Sequence, residues 1–204
     1  MPQTLVILTG EVTMTAGPSR AEAWELLTEL TDNPSLLKHA LAVEVAMRAY
    51  AERFNEDVEA WGTLGLIHDF DYQQNPTEET HLHVGTRILR ERGWPEVWVR
   101  IIASHADYMG IARDTLAAKA LFAVDELSGF LTACALVRPD RSIAEVQVKS
   151  VKKKLKDKAF ARGVNREDVY RGAEELGIDL GEHIEFVRDA MATIAGELEL
   201  PPRG

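Results

Sequence analysis

The apolar run Trp61-Gly62-Thr63-Leu64-Gly65-Leu66-Ile67 leads straight into His68 and Asp69. Carrying a buried helix into an imidazole and a carboxylate costs several kcal/mol unless something pairs with them, and a bound metal ion would offset that cost. His39 stands among apolar neighbours in Leu36-Leu37-Lys38-His39-Ala40-Leu41, which turns its imidazole inward. Asp125 interrupts the apolar stretch Leu116 to Val124, where an unpaired carboxylate would be strongly destabilising. Each has an ordinary reading when taken alone. His39 could be a satisfied core histidine, His68 a residue favoured by a helix C-terminus, and Asp125 one half of a buried ion pair. Taken together they are two imidazoles and two carboxylates, a thiolate-free donor set that suits Zn, Mn, Fe or Ni.

The elements that must position these residues read as helix after helix. Ser19 with Glu22 three residues on is a capping box, and Asp32-Asn33-Pro34 is a second start, with Pro34 at the first helical position. Leu37, Leu41, Val45 and Met47 recur at near-helical spacing until Phe54-Asn55. A third helix covers Asp57 to His68. After a polar loop closed by Asn75-Pro76, Thr77 or Glu78 opens a helix expected to run to Arg92. Further helices are expected from Trp94-Pro95 to His105, from Thr115 to Val137, from Arg166 to Leu176 and from Gly181 to Leu198. No βαβ alternation, repeat or linker interrupts them. The expected architecture is a single all-α helical bundle over residues 19–204, preceded by a poorly structured extension, 1–18, within which Met14 is an alternative initiator.

At 204 residues, 46% hydrophobic and 27% charged, the chain has the composition of an ordinary globular domain. The lone Cys134, in an apolar setting, rules out an internal disulfide framework and cysteine-rich zinc sites, and is expected to be buried. No stretch reaches the roughly 18 apolar residues that span a bilayer, and the short Thr4 to Leu8 run lacks preceding basic residues. A cytoplasmic location is therefore the default expectation. The net charge of −10 argues against a nucleic-acid partner, yet residues 149–166 carry eight Lys or Arg against the single Asp157. A patch of +7 on a body of −17 invites a phosphate-binding role, although such a run is also what a solvated helix face looks like.

The order His39, His68-Asp69, Asp125 on helices with apolar lead-ins resembles the HD superfamily of metal-dependent phosphohydrolases, over roughly residues 19–137. The resemblance extends to His81, four residues before Gly85, and to His105 after Ile101-Ile102-Ala103-Ser104. His83 is the rival for His81, but lying two residues on it would face away. The resemblance implies one or two divalent transition metals (Fe, Mn, Ni, Co or Zn). Asp69 would bridge them, His39, His68 and Asp125 would hold one, and His81 and His105 the other. It implies an all-α HD-type domain and hydrolysis of a phosphomonoester or phosphoanhydride of a small phosphorylated molecule, a nucleotide being the leading case. Asp71 is the expected general acid or base, or else a loop cap, with Tyr72 and Glu79 as substitutes. Lys149, Lys153, Arg162 and Arg166 are expected to hold substrate phosphates, as the lysine-rich segment of a branch of small HD proteins suggests. Asp107 is expected to be solvent-facing or to back up a ligand, and His183 to lie on the surface of an amphipathic helix. Symmetrical dinucleoside-polyphosphate hydrolases share the two extra histidines. Cyclic-dinucleotide cleavage is not implied, because His105 is followed by Ala106 and the loop reads Asp107-Tyr108-Met109-Gly110. Two other readings stay open: a di-iron oxygenase with a similar ligand set, and a nucleotide sensor without turnover. Homo-oligomerisation is compatible with either, and a membrane partner is not expected.

Overall fold

A computed structural model describes residues 17–201, and most of the 1–18 extension lies outside them. Nine α-helices and no strand occur among the described residues: α1 Arg20–Leu30, α2 Pro34–Phe54, α3 Val58–Ile67, α4 His83–Glu91, α5 Glu96–Ala103, α6 Leu116–Leu136, α7 Val148–Leu155, α8 Arg166–Leu176 and α9 Leu180–Ala192. A 3₁₀ turn at Asp107–Met109 separates α5 from α6. The expected all-α architecture is therefore observed.

The local chemistry of the starts explains most boundaries. Ser19 and Glu22 form the reciprocal capping box of α1. Asn33, Asp57, Thr115 and Asn165 each cap a helix through a side-chain oxygen that accepts an amide N–H. Asn55 closes α2 in the left-handed conformation that asparagine tolerates best after glycine.

Helix α6 is the axis of the bundle. Its Leu121, Val124, Leu127, Phe130 and Leu131 are fully buried, and α2, α5, α7, α8 and α9 all pack against it. Helix α3 is sandwiched between α1 and α2, and its stretch Trp61 to Ile67 is buried throughout. Cys134 is buried in the core, as expected.

Two boundaries differ from the sequence expectation. The helix expected from Thr77 begins only at His83, because residues 77–82 form turns and Leu82 sits at φ 62°. Such a conformation costs a β-carbon-bearing residue about 1–3 kcal/mol, which full burial of the Leu82 side chain helps to offset. Helix α9 stops at Ala192, and the chain continues as turns to Glu199, whose φ is 55°. No helix among the described residues is long and apolar enough to cross a membrane.

Candidate metal centre

Each of the six candidate ligands sits where an element ends or bends, except His39 and Asp125. His39 lies in the second turn of α2 and Asp125 in the middle of α6. His68 is the C-cap of α3, with Asp69 directly after it. His81 precedes the kink at Leu82, and His105 follows the C-cap of α5. The fold brings all six together. Ligand atoms of His39, His68, Asp69 and Asp125 lie within 4.8 Å of one another, and so do those of Asp69, His81 and His105. Asp69 belongs to both groups. His81 is buried and His83 is exposed, so the glycine spacing picked the inward-facing histidine.

The hydrogen-bond pattern tests whether these groups suit a cation. His68 Nδ1 donates to the Gly65 carbonyl at 2.8 Å, and His105 Nδ1 to the Ile102 carbonyl at 2.7 Å. His81 Nδ1 donates to Asp71 Oδ1 at 3.0 Å. A carbonyl or carboxylate can only accept, so each Nδ1 carries hydrogen and each Nε2 is left with its lone pair. Those Nε2 atoms face carboxylates: His81 and His105 lie 3.1 and 3.3 Å from Asp69 Oδ1, and His68 lies 3.3 Å from Asp125 Oδ1. Lone pair against lone pair is repulsive unless a positive charge sits between. His68 Nε2 and Asp69 Oδ1 are buried and make no hydrogen bond. The donor set fits a divalent ion in each group, with the partners behind the imidazoles fixing their orientation.

The electrostatics agree. Burial opposes a charge on His68, but Asp69 and Asp125 beside it prevail and push it up to about 9. Burial likewise opposes a charge on His81, and the carboxylates of Asp69 and Asp71 beside it raise it to about 9. Against their own desolvation, Asp69 and Asp125 are held well below the usual carboxylate range, chiefly by His68. The site is built to gather positive charge.

Asp71 differs from its expected role. It is fully buried, and its Oδ2 accepts the Leu82 and Gly85 amides at 3.1 and 3.0 Å while Oδ1 holds His81. A β-carbon on Gly85 would lie 2.7 Å from the Asp71 carboxyl carbon, so this approach requires glycine. Asp71 caps α4 and orients His81, which is also why α4 starts late. With its oxygens committed, it is not placed to exchange a proton with substrate.

Five of the six candidate ligands, all but the fully buried His68, line a cavity of about 770 Å³, within the range of small-molecule sites. Tyr72 and Tyr108 stand at its mouth against His81, with ring centroids 5.1 and 6.4 Å away. No lysine or arginine lines it among the described residues. Lys149, Lys153 and Arg162 are exposed and do not reach it. Val151 and Leu155 form the buried stripe of α7, which turns Lys149 and Lys153 away. Arg166 is used internally. Its guanidinium donates to the carbonyls of Asp157, Phe160 and Val164, closing that loop, and lies 5.7 Å over the Phe130 ring.

The basic segment thus presents Asn165 to the cavity rather than its cations, and α8 adds Asp168. Asp107 is solvent-exposed, as expected, and is paired with Arg113 and Arg171. His183 corrects another expectation: it is fully buried, accepting from the Tyr50 hydroxyl at 2.6 Å and donating to the Ala123 carbonyl at 2.9 Å.

Sequence reasoning missed Glu126. It lines the cavity beside Asp125, is pushed up to about 8 by burial and then by the Asp125 charge, and accepts the Asn165 amide at 3.2 Å. A second acid in an otherwise apolar helix was the available signal.

An all-α bundle that brings four imidazoles and two carboxylates together beside one cavity has the arrangement of a domain that could hold divalent metal. Residues 36–129 match the family model of the HD domain, a span that contains all six ligands. Over these residues the chain is similar to an HD domain. Comparisons with curated proteins and with solved structures gave no match.

Proposed function

We propose that the protein is a metal-dependent phosphohydrolase that cleaves a phosphomonoester or phosphoanhydride of a small phosphorylated molecule, a nucleotide being one such substrate. The observation that carries this reading is the pair of donor groups sharing Asp69 on the floor of a cavity of about 770 Å³. His39, His68, Asp69 and Asp125 would hold one ion, and Asp69, His81 and His105 the other. Two divalent ions so held supply charge for the phosphoryl oxygens and lower the pKa of water toward about 7.

The chain's own residues do the rest. Asp71, Gly65 and Ile102 hold the imidazoles in the tautomer that offers Nε2. Tyr72 and Tyr108 narrow the mouth. Glu126 is the half-buried carboxyl facing the cavity, in position to hand a proton to the leaving group. Asp71 is not, because its oxygens are occupied.

The test is metal analysis of protein purified without chelator, followed by a panel of phosphomonoesters and phosphodiesters assayed with Mn, Co, Ni, Zn and Fe. Bound metal and release of phosphate without oxygen are the expected result. Turnover that consumes oxygen would replace this reading with a di-iron oxygenase. Tight nucleotide binding without turnover would replace it with a sensor.

A further inference from the structure

A second cavity of about 380 Å³ lies against the metal cavity and shares His39 and Gly129 with it. Its walls follow from helix geometry. Asp125, Gly129, Thr132 and Leu136 are spaced by four, three and four, so they form one ridge of α6 running away from the metal ligands. Ser35, Lys38 and His39 form the matching face of α2. Leu198 and Leu200, both buried, come from the turns after α9 and complete the annex.

Gly129 is the step between the two spaces. It sits inside a 21-residue helix, where glycine is costly relative to any other ordinary residue. Packing does not demand it, since a β-carbon there would meet nothing within 4 Å. That direction is open space, and Gly129 lines both cavities. Lys38 and Arg141 also line the annex beside Glu199, with Lys38 Nζ 2.6 Å from Glu199 Oε2. Arg141 and Glu199 both hold positive φ, 52° and 55°, where β-carbon-bearing residues are strained.

We propose that the annex holds the organic group of a phosphate ester whose phosphate lies on the metal centre, with Gly129 as the specificity-determining passage. The ridge from Asp125 to Thr132 rises about 10 Å at 1.5 Å per residue, which sets the reach required. The substrate class is the monophosphate of an extended, nucleoside-sized alcohol. It has a face that packs on Leu136, Leu198 and Leu200, and hydrogen-bond acceptors for Lys38 and Arg141. This deepens the hydrolase reading and rests on it for the placement of the phosphate.

The test is calorimetric binding to the full chain loaded with Mn, using the four common nucleoside 5′-monophosphates against inorganic phosphate. At least one monophosphate is expected to bind about tenfold or more tighter than phosphate, a margin worth 1.4 kcal/mol. Gly129→Leu is expected to erase that margin, and Thr132→Tyr, which fills the annex from its side, to do the same should the first variant fold poorly. The proposal is overturned if no monophosphate binds more tightly than phosphate, or if the margin survives in the folded variants. Failure of the hydrolase reading shows separately, as a margin that is present without release of phosphate.

Discussion

Asp71→Asn separates an orienting carboxylate from a proton-transferring one. In the native site Oδ2 takes two backbone amides and Oδ1 takes the His81 Nδ1 hydrogen. An asparagine has one oxygen and one NH₂. Keeping the oxygen on the amides of Leu82 and Gly85 turns the NH₂ toward His81, whose Nδ1 must then accept. The hydrogen moves to Nε2, and His81 loses the lone pair it offers beside Asp69. The other orientation leaves two buried amides facing NH₂, at about 1–3 kcal/mol for each unsatisfied donor. Loss of an orienting partner behind a ligand typically weakens metal affinity about 10- to 100-fold. Only the group containing His81 is affected. His39, His68 and Asp125 have no contact with Asp71, so one ion should be retained at native affinity and the second weakened by that factor. Metal titration monitored by calorimetry, with metal content after dialysis as a second readout, measures this directly. If both ions bind with native affinity while turnover collapses, Asp71 exchanges protons with substrate and the argument from its hydrogen bonds is wrong.

His183 should make the fold acid-sensitive. Burial pushes it down to about 4, against an ordinary value of 6.5, because a charge there is cut off from water, and the nearby Arg53 adds to the effect. The unfolded chain binds that proton first, so the neutral form's stability is fully present above about 6.5 and is lost as pH falls toward 4. The loss is about 3 kcal/mol at 1.36 kcal/mol per unit. Urea unfolding at pH 7.5 and 4.5 should show a drop smaller by about 2–3 kcal/mol in His183→Gln than in the parent, and equal drops would contradict this. Glu126→Gln should lower kcat about 10²- to 10⁴-fold, the worth of a positioned proton donor, with metal content intact. Unchanged kcat would remove it from the proton path.

Much of the fold was legible because its signals are local. The capping residues Ser19, Asn33, Asp57, Thr115 and Asn165 and the apolar periodicity of α2 and α6 act within a few residues of one another. The six candidate ligands were legible because imidazoles and carboxylates within or at the ends of apolar helices are costly without a partner. What escaped depends on contacts distant in sequence. The late start of α4 is set by Asp71, ten residues before His81. His183 is satisfied by Tyr50, 133 residues away, so its polarity gave no hint of burial. The lysine run announced charge but not direction, and two apolar residues, Val151 and Leu155, decide which way α7 faces.

The turning away of those lysines changes how the site must bind phosphate. A phosphoryl group normally meets arginine or lysine as well as metal. Here the cavity wall supplies Glu78, Asp107, Glu126 and Asp168 and, among the described residues, no Lys or Arg. With no lysine or arginine on that wall, the ions that the six candidate ligands would hold are expected to supply most of the attraction for a phosphate dianion. Inorganic phosphate should bind the metal-loaded protein and become undetectable after removal of the metal by a chelator, recovering when Mn is restored. Lys149→Ala with Lys153→Ala should leave that affinity unchanged within about twofold, since exposed charges outside the cavity are screened beyond roughly 8–10 Å at ordinary ionic strength. Phosphate binding that survives chelation, or that fails in the double lysine variant, would mean that the basic segment reaches the cavity in solution and that the metals do not carry recognition alone.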